Sequence, residues 1–335
     1  MKPANLHDVA RRAGVSHQTV SRVINGHPSL RPETRERVLA AVAELGYRPN
    51  KTARTLATRT SMTLGLVSSG DPNYGPSSTM TGFTTACRDF GYAVQVATVP
   101  QIDASSLPNA VGDLVGRGVD GVVVVAARAS ELASSREVAI AQPLVVVTSG
   151  EAQSLATVSV DQAVGAALAA RHLVDHGHRS IVHLAGADDF IDAAARRQGW
   201  ESALSLAGLE VRTPLVGDWS ARSGYQLGCR LVQDLAFTAV FSGNDQMALG
   251  LIHAFSDAGI AVPGDVSVVG FDDIPEAEHF LPPLTTIRQD FAEVGRQTMS
   301  LMLSLLSGEA PRAVSIPPQL VSRQSVAPAP LGVRG

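Results

Sequence analysis

The chain lacks the features of an exported or membrane protein. It has only two cysteines among 335 residues, Cys87 and Cys229. Their contexts are unrelated and show no CxxC spacing, so we expect reduced thiols. The N-terminus has no apolar segment of the signal-peptide kind, and no apolar run reaches the ~18 residues that a membrane span needs. These absences predict a cytoplasmic protein with no membrane partner.

Motifs of catalysis and cofactor binding are missing as well. There is no P-loop, nucleophile elbow or HExxH, and no GxGxxG follows the first apolar strand of the body. His172, His176 and His178 lie close together, but His178 follows a glycine outside the predicted helix. That arrangement does not favour a metal site. We therefore expect a protein that is not an enzyme and that has neither a cofactor nor a metal.

The charge of the chain is unevenly distributed. Residues 1–60 hold eleven of the 27 lysines and arginines but only four of the 31 acids, which gives this segment a net charge of +7. The remaining residues have a net charge of −11. A basic head on an acidic body indicates that the head alone meets a polyanion. The alternative is a basic helical segment that is merely soluble.

The first 45 residues predict three short helices. An apolar stripe that begins at Leu6 ends at Gly14, and Ser16 then caps a second helix. Pro32 lies in the first turn of the third helix. Its predicted inward side chains are Val38, Leu39, Val42 and Leu45. A helix, a turn and a second helix have the spacing of a helix-turn-helix, whose second helix enters the major groove of DNA.

The outer face of the second helix carries side chains that suit base edges. Gln can bridge adenine, Arg can fork onto guanine, and His can donate or accept a hydrogen bond. The predicted base contacts are His17, Gln18 and Arg22. Short polar groups nearby suit phosphates, which fix the register on the duplex. The predicted contacts to the DNA backbone are Ser16, Thr19, Ser21, Asn25, Tyr47 and Asn50.

From about residue 61 the chain alternates short apolar runs with amphipathic helices. The runs are residues 63–68, 93–97, 121–126, 144–148, 180–184, 239–242 and 266–270. Continuous apolar runs separated by helices predict parallel sheets that are covered on both faces. The pattern is too long for one open sheet, so we expect two doubly wound subdomains. A cleft between two such lobes is a natural ligand site.

Specific strings of residues, rather than composition or periodicity, resemble a known family. Residues 6–50 are similar to the head of the LacI/GalR family of transcription regulators. The similarity continues through 217–220 (GDWS), 244–250 (NDQMALG), 268–273 (VVGFDD) and 282–291 (PPLTTIRQDF). It covers residues 3–325 and implies an α/β fold. The expected architecture is an N-terminal helix-turn-helix head plus a periplasmic-binding-protein-like core of two doubly wound parallel-sheet subdomains.

The resemblance also implies domain boundaries. The expected segments are the head (1–48), a hinge helix with its linker (49–60), an N-terminal core subdomain (61–160 with 290–320), a C-terminal core subdomain (161–289 with 321–328) and a disordered tail (329–335). The hinge would place Ala53, Arg54 and Leu56 at the minor groove. An apolar wedge such as Leu56 can unstack a base step and bend the duplex.

Members of this family hold a sugar or another small metabolite between the lobes. A sugar needs planar polar groups for its hydroxyls and an aromatic face for its C–H surface. The effector contacts that the resemblance implies are Pro76, Thr79, Thr148, Asp192, Arg196, Trp219, Asn244, Asp272, Gln289 and Phe291, with Gly75 beside them. Thr148 stands where a galactoside-binding relative carries an acid, which weakens the case for galactose but not for a sugar.

Together these features predict a repressor of sugar-utilisation genes that binds double-stranded DNA at a palindromic operator. A small sugar, such as a galactoside or another disaccharide, would release it. No leucine-heptad run follows residues 327–330, which favours a homodimer. Three alternatives stay open: a purine-type regulator with a corepressor, a sugar-binding protein without a regulatory role, and an enzyme that uses a dinucleotide. The basic head counts against the second, and the missing phosphate loop counts against the third.

Overall fold

The computed structural model describes residues 4–24, 30–47, 60–150, 152 and 154–330. The chain divides into two units, Met1–Ser61 and Met62–Gly335, which we call the head and the body. The described residues of the head form three helices: α1 (Leu6–Ala13), α2 (His17–Ile24) and α3 (Pro32–Glu44). The predicted helix-turn-helix is therefore confirmed.

Local hydrogen bonds fix the ends of the first two helices. The Asn5 side chain accepts from the backbone N–H groups of His7 and Asp8, and Asp8 in turn accepts from the Asn5 N–H, which makes a capping box. Gly14 ends α1 with a φ of +64°, a left-handed conformation that glycine adopts without strain. Ser16 Oγ then accepts from the Thr19 N–H and starts α2.

The core of the head is small and apolar. Val9, Val20 and Val38 have no exposed surface, so each helix contributes to it. Arg12 ties α1 to the end of α3, since its Nη2 lies 2.7 Å from one carboxylate oxygen of Glu44 and its Nε lies 3.0 Å from the other. The prediction that Leu39 points inward is wrong, because Leu39 is 48% exposed. It follows Val38 by one residue, about 100° around the helix, and so leaves the buried face.

The body alternates strands with helices. Its strands are β1 (Thr63–Ser68), β2 (Ala93–Thr98), β3 (Gly121–Val125), β4 (Leu144–Val147), β5 (Ala156–Val160), β6 (Ile181–Ala185), β7 (Leu215–Val216), β8 (Ala239–Ser242), β9 (Ser267–Val269), β10 (Thr286–Arg288), β11 (Ala313–Ile316) and β12 (Gln319–Val321). Its α-helices are α4 (Tyr74–Asp89), α5 (Ser106–Gly116), α6 (Ala129–Glu137), α7 (Gln162–Asp175), α8 (Ile191–Leu206), α9 (Ala221–Leu231), α10 (Asp245–Asp257) and α11 (Phe291–Leu306), and a 3₁₀ turn covers Pro275–His279.

The strands form two parallel sheets, as predicted. The first has the order β11-β5-β4-β3-β1-β2 and the second has the order β7-β6-β8-β9. A third, two-stranded sheet pairs β10 with β12 antiparallel, which the sequence analysis did not anticipate. The first sheet draws on residues 63–160 and 313–316, and the second on residues 181–269. The boundaries that we expect between the core subdomains stay predictions.

The inner strands β3, β6 and β8 are buried on two faces, which explains their continuous apolar runs, whereas the edge strand β2 is partly exposed. Along β3, Val123 and Val125 pack on the side of α4 and α11, whereas Val122 and Val124 pack on the side of α5. In the second sheet Val240 joins the cluster around α10. The neighbouring residues of β8 pack against α7 and α8.

The histidine cluster and the end of the chain have structural explanations. His178 is buried, with one ring nitrogen 2.9 Å from Thr238 Oγ1 and the other 3.1 Å from the Ala327 carbonyl. Ala329, which we placed in a disordered tail, donates its N–H to the His176 carbonyl at 2.8 Å. Within the described ranges no three His, Cys, Asp or Glu side chains could share a metal ion. No helix there is long and apolar enough to cross a bilayer.

Candidate functional site

The three side chains predicted to contact bases share the outer surface of α2. His17, Gln18 and Arg22 are exposed, while Val20 and Val23 of the same helix are buried in the head core. The ring of His7, which projects from α1, lies 5.3 Å from the ring of His17. The head therefore offers a polar, hydrogen-bonding surface on a firmly packed helix.

The predicted DNA-backbone contacts have mixed surroundings. Ser16 is exposed and its hydroxyl lies 2.9 Å from that of Thr19, so both groups help to begin α2. Ser21 is half-buried, and Tyr47 packs against the edge of the head core. Their contacts with DNA stay predictions. The other residues predicted to meet DNA lie outside the described residues: Asn25, Asn50, Ala53, Arg54 and Leu56.

All ten predicted effector residues line one cavity in the body, which encloses about 720 Å³ when its open mouth is counted. Many of them follow the carboxyl ends of parallel strands, where open α/β sheets place their ligand sites. Six further lining residues carry polar or aromatic surface that the sequence analysis missed: Asn73, Tyr74, Ser149, Ser159, Gln162 and Phe190.

A closed ring of hydrogen bonds connects four buried polar residues of the cavity. Arg196 Nε donates to Gln162 Oε1 at 2.9 Å, and Gln162 Nε2 donates to Gln289 Oε1 at 2.7 Å. Gln289 Nε2 donates to Asp272 Oδ1 at 2.7 Å, and Arg196 Nη2 lies 3.3 Å from the same oxygen. Arg196 Nη1 also donates to the Gly243 carbonyl. We call these four residues the polar ring; it holds its planar groups in one fixed arrangement.

Burial controls the ionisation of the polar ring. Removal from water raises the pKa of Asp272 to about 6, although the charge of Arg196 and the hydrogen bond from Gln289 both act to lower it. Behind it, the buried carboxyl of Asp245 also has a raised pKa, first because of burial and then because of the negative charge of Asp272. The carboxylate of Asp272 is thus held in its ionised form at some cost to folding.

This cost predicts a pH dependence of stability. An unfolded Asp ionises near 3.8, whereas Asp272 ionises near 6 in the folded protein. Its contribution to stability is therefore greatest below pH 3.8 and decreases as the pH rises to 6. Asn carries no proton, so the stability difference between Asp272→Asn and the wild type should shift in favour of the variant between pH 4 and 6.

Urea unfolding at pH 4, 5, 6 and 7 measures this difference. Asp188→Asn is the matched control, because the Asp188 side chain is 74% exposed and makes only a 4.0 Å contact with Arg197. Its stability should follow that of the wild type. A constant difference between Asp272→Asn and the wild type across this range would show that Asp272 titrates like an exposed acid.

Two pairs of aromatic rings form the apolar walls. Trp219 meets Phe190 edge to face, with ring centroids 5.5 Å apart, and Tyr74 meets Phe291 in the same way at 5.7 Å. Gly186 makes room for the indole, since a Cβ at that position would lie 2.0 Å from the Trp219 ring. The cavity therefore combines flat apolar surface with the polar ring.

The side chain of Asn244, predicted to contact the effector, already has hydrogen-bond partners within the protein. Its Oδ1 caps α10 by accepting from the Met247 N–H at 2.9 Å. Its Nδ2 donates to the Trp219 carbonyl at 2.9 Å and to Gln246 Oε1 at 2.8 Å. The amide hydrogens are thus already used, and the structure gives Asn244 a second role in positioning Trp219, which has a left-handed φ of +73°.

The charge of the cavity does not favour anions. Among the described residues that line it, Arg196 is the only lysine or arginine, whereas Asp192 and Asp272 supply two carboxylates. Both carboxylates lie within 4.0 Å of Arg196 Nη2, at 3.9 Å and 3.3 Å. The arginine is therefore neutralised by its neighbours, and the arrangement suits a neutral ligand with several hydroxyl groups better than a phosphate.

Comparisons with known proteins identify the family. The model of bacterial regulatory proteins of the lacI family matches residues 5–50, and that of the periplasmic binding protein-like domain matches residues 170–326. The lactose operon repressor of Escherichia coli (strain K12) is 34% identical over 97% of this chain and 91% of its own length. The chain belongs to the lacI family of bacterial regulatory proteins. It is a DNA-binding transcriptional repressor of that family.

Other relatives of this lacI-family repressor carry the names of different regulators. Catabolite control protein A of Priestia megaterium is 32% identical over 96% of this chain and 98% of its own length. The HTH-type transcriptional repressor PurR of Histophilus somni (strain 129Pt) is 33% identical over 96% of this chain and 99% of its own length. The family is thus shared by relatives of several kinds, and membership alone does not identify the effector.

Solved structures match the same architecture. A lac repressor dimer bound to operator and the anti-inducer ONPF superposes with a TM-score of 0.85 at 33% identity, covering 97% of this chain and 100% of that one. A complex of the transcriptional regulator CelR with cellobiose has a TM-score of 0.71 at 31% identity, covering 96% of this chain and 99% of that one. The head and the two parallel sheets are therefore those of this family.

Proposed function

We propose that this lacI-family repressor binds a palindromic operator as a homodimer and is released from it by a sugar, a β-linked galactoside or a related disaccharide. The observation that carries the sugar assignment is the polar ring, which lies in one cavity with two pairs of aromatic rings. The DNA assignment depends on the exposed polar face of α2 within a head segment of net charge +7.

The polar ring supports a sugar because its groups suit adjacent hydroxyls. Both hydrogen bonds to Asp272 use Oδ1, so Oδ2 is available to accept from a hydroxyl of the ligand. Gln162 and Gln289 each keep a second amide hydrogen and a second lone pair. The rings of Trp219 and Phe291 would cover the C–H faces of a pyranose. A solved relative holds cellobiose, a β-linked disaccharide.

The DNA assignment draws on charge and on the relatives. The lac repressor structure contains a dimer on its operator, and two-fold symmetry in a protein is matched by a palindrome in its site. Half-sites about one helical turn apart are therefore expected. Operator binding should weaken steeply with salt; the lac repressor is itself a standard example of that dependence.

Thermodynamic linkage between sugar binding and operator binding would explain how the sugar releases the repressor from DNA. The sugar binds one arrangement of the two lobes better than the other, and a hinge that pairs only in the second arrangement makes sugar and operator compete. The coupling is reciprocal, and typical values of ~1–3 kcal/mol correspond to roughly 5–150-fold changes in affinity. The predicted hinge residues lie outside the described residues, so this step depends on the sequence resemblance.

The second candidate effector is a purine that acts as a corepressor, which the similarity to PurR supports. Calorimetry of the full chain with lactose, cellobiose, guanine and hypoxanthine distinguishes the two. We expect binding of a β-linked disaccharide, and loss of operator binding on its addition in fluorescence anisotropy. Binding of the purines alone, together with tighter operator binding, would replace the sugar proposal with the corepressor.

The face of α2 gives a prediction about specificity. Arg22→Ala should remove ~1–3 kcal/mol of discrimination between operator and random DNA, because a bidentate contact to a base edge is lost. Arg54→Ala should weaken both DNAs evenly, because we expect this hinge arginine at the minor groove to meet the flanking phosphates and not a base edge. The measurement is fluorescence anisotropy with the best duplex that the wild type selects from a random pool. An equal loss on both duplexes for Arg22→Ala would remove that residue from the base contacts.

A further inference from the structure

Arg128 forms an unusual group of ion pairs beside the cavity. It lies between β3 and α6, and its guanidinium contacts three carboxylates: Asp71 at 3.0 Å, Glu131 at 3.2 Å and Asp189 at 2.8 Å. The side chains of Asp71 and Glu131 are almost fully buried, whereas that of Asp189 is 60% exposed. We call these four residues the Arg128 cluster.

The Arg128 cluster joins the two parallel sheets of the body, each of which we call a sheet unit together with the helices that pack on it. Asp71 follows β1 of the first sheet, and Glu131 belongs to α6. Asp189 comes from the other unit, just before α8, whose buried residues pack against the second sheet. Two of the ion pairs therefore hold Arg128 in its own unit, and the third crosses to the facing one.

The backbone reinforces this crossing. Arg128 and Phe190 form an isolated antiparallel bridge, and the Ile191 N–H donates to the Ala127 carbonyl at 2.9 Å. The guanidinium carbon of Arg128 also lies 4.2 Å from the centre of the Phe190 ring. At this distance a cation above an aromatic face is attracted to the ring by a cation–π interaction. Arg128 thus holds the backbone and the ring of the same facing residue.

Phe190 connects the Arg128 cluster to the ligand cavity. Its ring lines that cavity and meets Trp219 edge to face. We propose that Arg128 is a positioning residue, which sets Phe190 as a wall of the cavity and, through Asp189, ties the two sheet units together around a bound ligand. The affinity part of this proposal rests on the proposed function, because it requires that the cavity holds an effector. The part that concerns the link between the two sheet units does not require a bound effector.

The ion pair between Arg128 and Asp189 can be removed without disturbing the two buried carboxylates. Substitution of Arg128 would leave Asp71 and Glu131 buried without their cation, which endangers the fold. Asp189→Asn removes only the exposed partner. Asp188→Asn is the matched control, because it makes the same change of charge one residue earlier, at a side chain that is 74% exposed and does not contact Arg128. Asp189→Glu tests rescue.

Two measurements on the full chain test the proposal. Hydrogen exchange of the Ile191 amide reports the opening of its bond to Ala127 and needs no ligand. Calorimetry gives the Kd for lactose or cellobiose. Exposed ion pairs are worth ~0.2–1 kcal/mol, so Asp189→Asn should raise both the exchange rate and the Kd by about 1.4- to 5-fold. Asp188→Asn should change neither, and Asp189→Glu should recover most of the loss.

The outcomes separate this inference from the proposed function. Equal exchange rates for Ile191 in the two Asn variants would show that the ion pair with Asp189 does not hold the two sheet units together. A faster exchange with an unchanged Kd would overturn the role of Phe190 in ligand affinity. If the wild type binds neither sugar, the sugar assignment fails, and the exchange measurement still decides whether Arg128 joins the two units.

Discussion

Arg196→Met should lower the free energy of unfolding by about 3–5 kcal/mol at pH 7, the usual cost of removing one partner from a buried ion pair. Arg196 is 4% exposed and donates to Gln162, to the Gly243 carbonyl and to Asp272. Its guanidinium carbon also lies 3.8 Å from the centre of the Phe271 ring. Met replaces the length of the side chain but none of these hydrogen bonds, so several buried acceptors lose their donors.

Urea unfolding of the body measures this effect, and the neighbouring arginine is the control. The Arg197 side chain is 40% exposed and contacts Glu201 at 3.3 Å, so Arg197→Met should cost less than ~1 kcal/mol. Adding Asp272→Leu to Arg196→Met removes the stranded carboxylate and should recover part of the stability without restoring ligand binding. Equal losses for the two single variants would show that the polar ring contributes no more than a surface ion pair.

Much of the fold can be predicted from the sequence, because burial leaves a clear pattern. The run 63–68 corresponds to β1 residue for residue, and 239–242 corresponds to β8. The strands that escaped prediction carry weaker signals. In β5 the sequence ATVSV mixes hydroxyl side chains into an apolar strand, although four of its five residues are buried. β10 and β12 are only three residues long and pair antiparallel, outside both parallel sheets.

The missed cavity residues follow from the missed elements and from chain geometry. Gln162 is the first residue of α7, and only Asp161 separates it from β5, so it could not be placed before that strand was recognised. Phe190 immediately precedes α8, and Tyr74 begins α4. The sequence signal that could have identified them is their closeness along the chain to the predicted effector residue Asp192 and to Gly75. What the sequence could not supply is the pairing of rings across space, which depends on how the two sheet units meet.

The polar ring also shows why a residue's identity and its hydrogen bonds need separate arguments. Family resemblance placed Arg196, Asp272 and Gln289 in the effector site, and they do line one cavity. Only the geometry shows that Gln162 completes their ring, and that Asn244 uses its amide hydrogens on Trp219 and Gln246. Side-chain type constrains the possible chemistry, whereas neighbours decide which atoms are available to a ligand.

Asp272→Asn should give a repressor that binds its operator but does not release it at the sugar concentration that releases the wild type. The substitution keeps the shape of the side chain and removes the negative charge that accepts hydrogen bonds from Arg196, from Gln289 and, in our proposal, from a sugar hydroxyl. A hydrogen bond to a charged group is worth ~1.5–3 kcal/mol, so sugar affinity should fall by about 10- to 100-fold. The substitution changes no residue of the head, so operator affinity in the absence of sugar should stay close to that of the wild type.

The measurement is operator anisotropy during titration with whichever of lactose and cellobiose binds the wild type, with Asp188→Asn as the control that keeps normal release. Because release follows the occupancy of the sugar site, the variant should need about 10- to 100-fold more sugar than the wild type for the same release. Release of Asp272→Asn at the wild-type sugar concentration would remove Asp272 from the effector contacts. Loss of operator binding in that variant would instead show that the carboxylate maintains the DNA-binding arrangement itself.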